Sequence, residues 1–271
     1  MCRLLGYAAP SPTTVADVLG LDGSRVFQDM ARLHRDGWGT AWSDAAGVRG
    51  EVVARPGHGD PALGRVLTGD TATARIVHLR LATWGMACTA VNTHPFLTDG
   101  LAFAHNGSME PSGPIERLIS PHHAEQVLGT TDSERYFAAI RSRMDEGADP
   151  FQAAAATAQS LRRSFPTRSL NALLLTPDSL IAVHASADVP IPLHVFRASG
   201  LAPHELPRHH EDAYYLMRMK RSADGSVLVA SSGLDIEDWE PLPPESVTRV
   251  DLATLAVETL PLREAAERVA A

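Results

Sequence analysis

The chain has 271 residues, 44% of them hydrophobic, and a formal net charge of −8 at pH 7. That hydrophobic fraction is ordinary for a globular protein, and the length allows one large domain or two small ones. The negative charge, without a run of Lys or Arg, argues against nucleic-acid binding. Two cysteines cannot form a disulfide framework, and no apolar run reaches the ~18 residues that span a bilayer or resembles a signal segment. We therefore expect a cytoplasmic protein that binds neither nucleic acid nor membrane.

Short β-type runs separated by turn residues dominate the chain. In chain order, strands are predicted over Arg3–Ala8, Gly39–Trp42, Gly50–Arg55, Ala74–Arg80, Leu101–His105, Leu170–Leu175, Leu180–Ala185, Leu193–Ala198, Ala213–Lys220, Val227–Ala230 and Val247–Val250. Helices are predicted over Ser24–Leu33, His122–Leu128, Ser133–Asp145 and Pro150–Ser164. Two sets of strands with helices clustered between them indicate one α+β domain, residues 2–271, with two packed sheets.

Cys2 directly follows the initiator methionine, and Cys is small enough for that methionine to be removed. The mature chain would then carry a thiol and a free α-amine on one residue. An α-amine titrates near ~7.7–8.0, so it can accept the thiol proton and later return it. A thiol activated in this way needs no His or Asp neighbour, which is the chemistry of N-terminal nucleophile (Ntn) hydrolases. Because a Cys at position 2 also arises by chance, the hypothesis depends on further motifs.

Further motifs follow Cys2 in the first half of the chain. They are Asp36-Gly37-Trp38-Gly39, His78-Leu79-Arg80-Leu81-Ala82-Thr83-Trp84-Gly85, Asn92-Thr93-His94-Pro95-Phe96, His105-Asn106-Gly107 and Thr131-Asp132-Ser133-Glu134. Together with Cys2 they resemble the class II glutamine amidotransferase domain, whose pattern combines an N-terminal Cys with H-x-R-x-A-T, H-N-G and T-D-S/T-E. The chain is most similar to stand-alone bacterial members that begin M-C-x-L-L-G and contain a D-G-W-G turn.

The resemblance implies a fold and a set of roles. The fold would be the four-layer αββα sandwich of Ntn hydrolases, with two packed, mainly antiparallel sheets. The catalytic residues would be Cys2, Asn106 and Gly107. The substrate-binding residues would be Arg80, Thr83, Trp84 and Asp132, although members of the family often have His in place of Trp84.

The residue chemistry of the H-N-G motif is compatible with the implied catalytic role. Acyl transfer from a carboxamide requires a nucleophile, a proton shuttle and donors for the developing oxyanion. Cys2 would supply the first two, while the Asn106 side-chain amide and the Gly107 backbone N–H would be the donors. Asn-Gly is also the strongest two-residue hairpin signal, so a simple turn is the alternative interpretation.

Glutamine presents a zwitterionic amino-acid end, which a specific pocket would match with one fixed cation and one fixed anion. The planar fork of Arg80 suits a carboxylate, and Asp132 can accept from an ammonium group. By resemblance, both match the family's contacts to the substrate carboxylate and amine. The alternatives are an exposed strand-end charge for Arg80 and a helix N-cap for Asp132.

No metal or cofactor is expected. The adjacent histidines His122-His123 and His209-His210 should point apart, and no Cys or carboxylate falls at ligand spacing. Neither a G-x-x-x-x-G-K-[ST] motif nor a strand-linked G-x-G-x-x-G motif is present. His94 and His105 are predicted to be structural, donating ring N–H groups to backbone near the site. Cys88 is predicted to be an ordinary small buried residue.

The leading hypothesis is an N-terminal cysteine amidohydrolase that cleaves the γ-glutamyl amide bond of glutamine or another γ-glutamyl compound through a thioester. Because the chain ends at Ala271 without a second domain to consume ammonia, two versions are expected. One is a glutaminase subunit delivering ammonia to a separate synthase. The other is a free-standing hydrolase similar to the ergothioneine-pathway and glutathione-degrading relatives. A non-catalytic glutamine-binding regulatory module is an alternative of a different class, which a retained Met1 would favour.

The partner and the leaving group stay open at this level. The partner of the chain could be an ammonia-accepting synthase or a second copy in a homo-oligomer. Two segments of the second half, a surface loop at Ser199–Asp212 and a rigid turn at Pro241–Pro244, could line a pocket for a leaving group bulkier than ammonia. A larger γ-glutamyl amide is therefore expected to be a slightly better candidate substrate than glutamine.

Overall fold

The computed structural model describes residues 2–186, 188–235 and 238–263. Met1 lies outside the described residues, as do residues 264–271 of the predicted domain. The strands, in chain order, are β1 (Arg3–Thr13), β2 (Trp38–Asp44), β3 (Gly47–Val53), β4 (Ala72–Leu79), β5 (Phe96–Thr98), β6 (Leu101–Asn106), β7 (Asn171–Leu175), β8 (Ser179–His184), β9 (Met217–Arg221), β10 (Val227–Ser231), β11 (Glu240–Pro241), β12 (Ser246–Asp251) and β13 (Val257–Pro261). In the described ranges no helix combines the length and apolar character that a membrane crossing requires.

The helices, in chain order, are α1 (Val15–Leu19), α2 (Leu21–Asp29), α3 (Pro61–Thr68), α4 (Gly113–Glu116), α5 (Pro121–Ala124), α6 (Asp132–Asp145), α7 (Pro150–Ser164) and α8 (Leu193–Ala198). Five of these eight helices, α1, α3, α5, α6 and α7, begin after a side chain that accepts from a first-turn N–H. Before α7, the Asp149 carboxylate accepts from the backbone of Phe151 and Gln152. Before α6, the Thr131 hydroxyl accepts from Glu134 N at 3.1 Å. The N-cap interpretation of Asp132 is therefore wrong, and its carboxylate has another use.

The strands form two antiparallel sheets that each draw on both halves of the chain. A seven-stranded sheet has the order β11-β9-β10-β1-β4-β2-β3, and a six-stranded sheet has the order β13-β12-β8-β7-β6-β5. β1 lies in the seven-stranded sheet between β10 and β4, and β6 lies in the six-stranded sheet between β7 and β5. This mixing is typical of a single domain, and the extent of that domain to residue 271 stays a prediction.

Alternation of side chains along β1 shows how the layers stack. Leu4 and Ala8 pack into the core between the two sheets, whereas Leu5 and Tyr7 pack against α1, α2 and α3. Gly6 shares the inner face, where an added Cβ would lie 3.1 Å from the Leu173 side chain of the opposite sheet. The outer face of the six-stranded sheet is covered by α6 and α7. The predicted four-layer αββα sandwich is confirmed.

Most predicted elements are present with shifted ends, but a few predictions are wrong. Leu193–Ala198 is helix α8 rather than a strand, because Phe196 alone is fully buried there and packs on Leu33 and Tyr214. The helix predicted over His122–Leu128 is reduced to the single turn of α5. The predicted strand Ala213–Lys220 begins only at Met217. Short elements without a strong periodic pattern were not predicted, namely α1, α3, α4, β5, β11 and β13.

Candidate active site

Cys2 is buried at the start of β1, and its backbone is held from two directions. Its N–H donates to Asn106 Oδ1 at 2.7 Å, which joins the two sheets at this point. Its carbonyl accepts from Arg3 Nε at 2.6 Å. The Arg3 side chain is itself fully buried, donates to Ser232 O and Oγ at 2.8 and 2.7 Å, and lies 3.9 Å from the centroid of the Tyr214 ring. The position of the thiol is therefore fixed by residues from β6 and from the C-terminal half of the chain.

Asn106 ends β6 and presents an unsatisfied donor beside Cys2. Its Oδ1 is occupied by the Cys2 N–H, while its Nδ2 is buried and has no hydrogen-bond partner among the described residues. Its carbonyl accepts from Ser169 Oγ at 2.6 Å. A buried donor without a partner costs about 1–3 kcal/mol, so it is retained only where something else requires it. The amide thus has one face committed to Cys2 and one face available to a ligand.

Asn106-Gly107 is not a hairpin turn. β6 pairs with β5, through the turn Asp99-Gly100 with positive φ at both residues, and with the distant β7. Gly107 follows β6 where no side chain fits, because an added Cβ would lie 2.0 Å from Ser169 O. The hairpin alternative for the H-N-G motif is therefore wrong, and the glycine is explained by close approach of backbone.

Arg80 and Asp132 are buried charges that face one pocket without neutralising each other. Among the described residues, the Arg80 guanidinium donates to the carbonyls of Asp36 and Ala87, both at 3.3 Å. The Asp132 carboxylate accepts from Met109 N at 2.5 Å and from Ser133 N at 2.8 Å. Within the described part of the chain, neither group forms an ion pair. Buried charges are normally paired, so this arrangement suits a ligand that carries one charge of each sign.

A small cavity, called the Cys2 pocket below, connects these groups. Its lining residues are Cys2, Arg80, Leu81, Ala82, Thr83, Met86, His94, His105, Gly107, Thr131, Asp132 and Ser133. Its volume is about 20 Å³, enough for roughly one water molecule. Two residues predicted from the sequence do not line this pocket: Trp84 is 100% exposed, and Asn106 is fully buried and reaches the site only through its contact with Cys2.

The D-G-W-G turn contributes a residue that was not predicted from the sequence. Asp36 Oδ2 accepts from the backbone N–H of Ala82 at 2.8 Å, and Asp36 N donates to the Arg80 carbonyl at 3.0 Å. Arg80 N in turn donates to Gly37 O at 2.8 Å. The turn therefore holds the segment from Arg80 to Thr83 in place. The D-G-W-G motif is visible in the sequence. The contact of Asp36 with Ala82, more than forty residues away, cannot be predicted from that motif.

Two buried histidines lie next to the thiol. The ring centroids of His78 and His94 are 4.4 Å apart, and neither ring nitrogen of either residue has a hydrogen-bond partner in the described ranges. The prediction that the His94 ring donates an N–H to backbone near the site is therefore wrong. For His105 it is confirmed, because Nε2 lies 3.0 Å from Ser169 O and Nδ1 lies 2.8 Å from Ser133 Oγ.

The histidines also correct the expectation about ligand spacing. Ligand atoms of Cys2, His78 and His94 all lie within 4.8 Å of one another. The prediction that no Cys falls at ligand spacing was made from spacing along the chain, whereas these three residues come from separate elements. A correction also applies to Cys88, which was predicted to be buried and is exposed.

Electrostatics around Cys2 favour the thiolate. The pKa of the Cys2 thiol lies well below its ordinary value in the chain that keeps Met1: burial raises this pKa, but the positive charge of the chain terminus at residue 1 and His78 together lower it by more. Burial also lowers the pKa of His94 well below its ordinary value, with His78 next in effect.

Buried histidines predict a loss of stability in acid. Burial lowers the pKa of His94 and of His210 well below the ordinary value, and the charge of Arg3 adds to the effect at His210. Below pH ~6.5 the unfolded chain binds more protons at these positions than the folded chain. The contribution of these histidines to stability is therefore complete above that pH and decreases as the pH falls. Urea unfolding at several pH values should show a shallower acid dependence for His210→Gln, with exposed His204→Gln as the control. Equal pH dependence in wild type and His210→Gln would contradict the prediction.

Comparison with known proteins identifies the family. A family model described as "Glutamine amidotransferases class-II" matches residues 1–262. The chain therefore belongs to the class II glutamine amidotransferases, a family of enzymes that hydrolyse the amide of glutamine. The resemblance drawn from the motifs is confirmed.

Individual relatives agree with this assignment. Glutamine–fructose-6-phosphate aminotransferase (isomerizing) of Zymomonas mobilis is 33% identical over 150 residues, covering 52% of this chain and 23% of the relative. A solved class II glutamine aminotransferase domain protein of Silicibacter pomeroyi has a TM-score of 0.63 at 20% identity, covering 96% of this chain and 99% of that one. Glutamine phosphoribosylpyrophosphate amidotransferase of B. subtilis, solved with ADP and GMP, has a TM-score of 0.56 at 14% identity, covering 96% and 49%. These structures support the fold, and the chain spans about half or less of the length of the curated relatives it matches.

Proposed function

We propose that the chain is an N-terminal cysteine amidohydrolase that cleaves a γ-glutamyl amide bond through a thioester on Cys2. The observation that carries the proposal is the Asn106 side chain. Its oxygen holds the Cys2 N–H at 2.7 Å while its buried nitrogen has no partner among the described residues. A donor fixed in this way costs no reorganisation when an oxyanion forms beside the sulfur.

The chemistry follows from groups already in place. With Met1 removed, the α-amine of Cys2 takes the thiol proton, and the thiolate attacks the γ-carbonyl carbon. Asn106 Nδ2 and the Gly107 N–H stabilise the oxyanion. The carbon–nitrogen bond then breaks, and the α-ammonium group returns its proton to the departing ammonia or amine. Water hydrolyses the thioester, releasing glutamate and restoring the thiol.

The glutamyl end of the substrate would be held by the two buried charges. Arg80 would bind the α-carboxylate and Asp132 the α-ammonium, with Thr83 beside them at the edge of the Cys2 pocket. Because its side chain is exposed, Trp84 would contact the substrate only from outside the Cys2 pocket. Because the pocket has a volume of about 20 Å³, a glutamyl group would fit only after part of the pocket lining moves outwards.

Conservative changes at the two charges test recognition. Arg80→Lys keeps the charge but loses the two-pronged geometry, and Asp132→Asn removes the partner of the ammonium. Leaving a buried charge unmatched costs about 2–5 kcal/mol, so KM should rise at least ~30-fold in either variant. The matched control is Arg141→Lys, a buried arginine that forms its ion pair with Asp99 outside the Cys2 pocket. Wild-type KM values in both site variants would contradict the assignment.

Measuring glutamate release distinguishes the proposed hydrolase from two other candidate functions. A glutaminase subunit that serves a separate synthase, or acts within a homo-oligomer, would hydrolyse glutamine slowly alone and faster with its partner. The curated relative named as an aminotransferase, of which the chain covers 23%, favours this candidate. A glutamine-binding regulatory module would bind glutamine without turnover. Partner-independent glutamate release from a γ-glutamyl amide, absent in Cys2→Ala, supports the proposal, and binding without turnover contradicts it.

A further inference from the structure

A second and larger cavity, called the apolar cavity below, adjoins the Cys2 pocket. Its volume is about 690 Å³, within the range of small-molecule sites. Of the residues that line the Cys2 pocket, Ala82 and Thr83 also line this cavity. Most of its wall is apolar and comes from Trp84, Val189, Pro190, Ile191, Pro192 and Val195. The exposed ring of Trp84 is therefore one wall of a concave surface.

On the side of the acyl group, the lining of the apolar cavity includes Ser108, which directly follows Gly107 of the Cys2 pocket. Ser169 lines the cavity, and its hydroxyl donates to the carbonyl of Asn106. Tyr215 also lines it, and its carbonyl accepts from Asn171, the residue opposite Asn106 on β7. Arg80 and Asp132, in contrast, line only the Cys2 pocket. A substrate with its γ-carbonyl at Cys2 would thus extend its leaving group towards the apolar cavity.

The charges of the residues that line the apolar cavity limit which leaving groups it would bind. The described lining of the cavity has no Asp or Glu, whereas it includes Arg168 and His194. Arg168 is exposed, and in the described part of the chain its guanidinium forms no ion pair with a carboxylate. A cationic amine would find no partner here. A leaving group with an apolar side chain and a carboxylate would find both an apolar wall and a cation.

We propose that the apolar cavity binds the leaving amino acid of a γ-glutamyl dipeptide whose second residue is apolar, such as leucine or phenylalanine. This inference rests on the proposed function. The apolar side chain would pack against Ile191 and Val195, and the carboxylate would lie near Arg168. Attack by the Cys2 thiolate would break the γ-amide bond, and the amino acid would leave with the proton held by the α-ammonium group. Water would then release glutamate from the thioester.

The segments expected from the sequence to form such a pocket are not the ones that do. The Ser199–Asp212 loop contributes residues 205–208 to a separate cavity against α1 and α2. The Pro241–Pro244 turn contributes to neither the Cys2 pocket nor the apolar cavity. The part of the apolar lining that comes from the second half of the chain lies instead just before α8 and within it, and Leu193–Ala198 was predicted as a strand.

The test compares kcat/KM for four substrates: γ-Glu-Leu, γ-Glu-Gly, γ-glutamyl isoamylamide and glutamine. The wild-type enzyme should prefer γ-Glu-Leu to γ-Glu-Gly by about tenfold or more, because an isobutyl group is added to an apolar site. Ile191→Asp should remove that preference and change glutamine hydrolysis by less than about twofold. Arg168→Met should reduce the preference for γ-Glu-Leu over the isoamylamide by about threefold, a modest effect because the guanidinium is exposed. Val26→Asp, at a half-exposed position of α2, is the control.

Each outcome separates this inference from the proposed function. Turnover of glutamine with no preference for γ-Glu-Leu overturns the inference alone, whereas no turnover of any γ-glutamyl compound overturns the proposed function and the inference with it. If Ile191→Asp does not fold, Val195→Asn takes its place with the same expected loss of preference. If Ile191→Asp changes the oligomeric state measured by sedimentation but keeps the preference for γ-Glu-Leu, the cavity docks a second copy of the chain. That result would also overturn the inference.

Discussion

Cys2→Ala is expected to lower kcat for γ-glutamyl amide hydrolysis by at least ~10⁴-fold, because removing the nucleophile of a covalent mechanism eliminates the thioester route. The fold should survive, since the backbone N–H of residue 2 still donates to Asn106 Oδ1 and the deleted atom is a single buried sulfur. The measurement is steady-state glutamate release together with thermal unfolding of the same preparation.

Cys88→Ala is the matched control for this experiment. Cys88 is the other free cysteine of the chain; it is exposed and is not among the residues that line the Cys2 pocket. Its replacement should leave kcat within about twofold of the wild-type value, as expected for an exposed side chain outside the pocket. Near-full turnover in Cys2→Ala would rule out the thiol as nucleophile, whatever the behaviour of Cys88→Ala.

Asn106→Asp is expected to lower kcat by ~10²–10³-fold with little change in KM. The substitution keeps the size of the side chain and an oxygen to accept from the Cys2 N–H. It replaces the buried Nδ2 donor by a second acceptor oxygen, which would repel a developing oxyanion. Binding of the glutamyl end should persist because Arg80 and Asp132 are unchanged.

The matched control for Asn106→Asp is Asn171→Asp, the residue opposite Asn106 on the neighbouring strand. Asn171 Nδ2 donates to Tyr215 O, so the change removes a structural hydrogen bond and should cost about 1–3 kcal/mol of unfolding free energy. Its kcat for glutamine should stay within about threefold of wild type. Normal kcat with lowered thermal stability in Asn106→Asp would show that this asparagine also has only a structural role.

The fold was predictable wherever side-chain periodicity was strong. Helix α7 has the bounds predicted from its sequence, since Asp149 and Pro150 mark its start and the alanine-rich face packs on the six-stranded sheet. The six-residue segment Leu193–Ala198 was predicted incorrectly because so short an apolar run fits a strand or a helix equally well. Tertiary packing of Phe196 decides between them, and that contact is not encoded locally.

The candidate site was predictable as far as its residues lie in contiguous motifs. Cys2, Arg80, Gly107 and Asp132 converge on one pocket, and Asn106 contacts Cys2 directly. Residues that act through long-range contacts carried no such signal. Arg3, for example, holds the Cys2 carbonyl but is anchored by groups more than two hundred residues away in the chain.

The state of the donors and charges was likewise invisible in the sequence. The motif T-D-S-E does not reveal that Thr131 caps the helix and that Asp132 forms no ion pair with any residue that the structure describes. Nor does H-x-R-x-A-T reveal that the rings of His78 and His94 lie together, beside Cys2. These properties depend on which strands are neighbours, and strand order is fixed by the whole chain rather than by any one segment.

The most direct test of the central claim is an intact-mass measurement on the active protein after treatment with a glutamine-like chloroketone. We expect one adduct per chain, located on Cys2 by peptide mapping, on a protein that has lost Met1 and therefore has a free α-amine on Cys2. Loss of activity should follow formation of the adduct. An active species that retains Met1, or inactivation by an adduct at Cys88, would contradict a mechanism in which an N-terminal cysteine is the nucleophile.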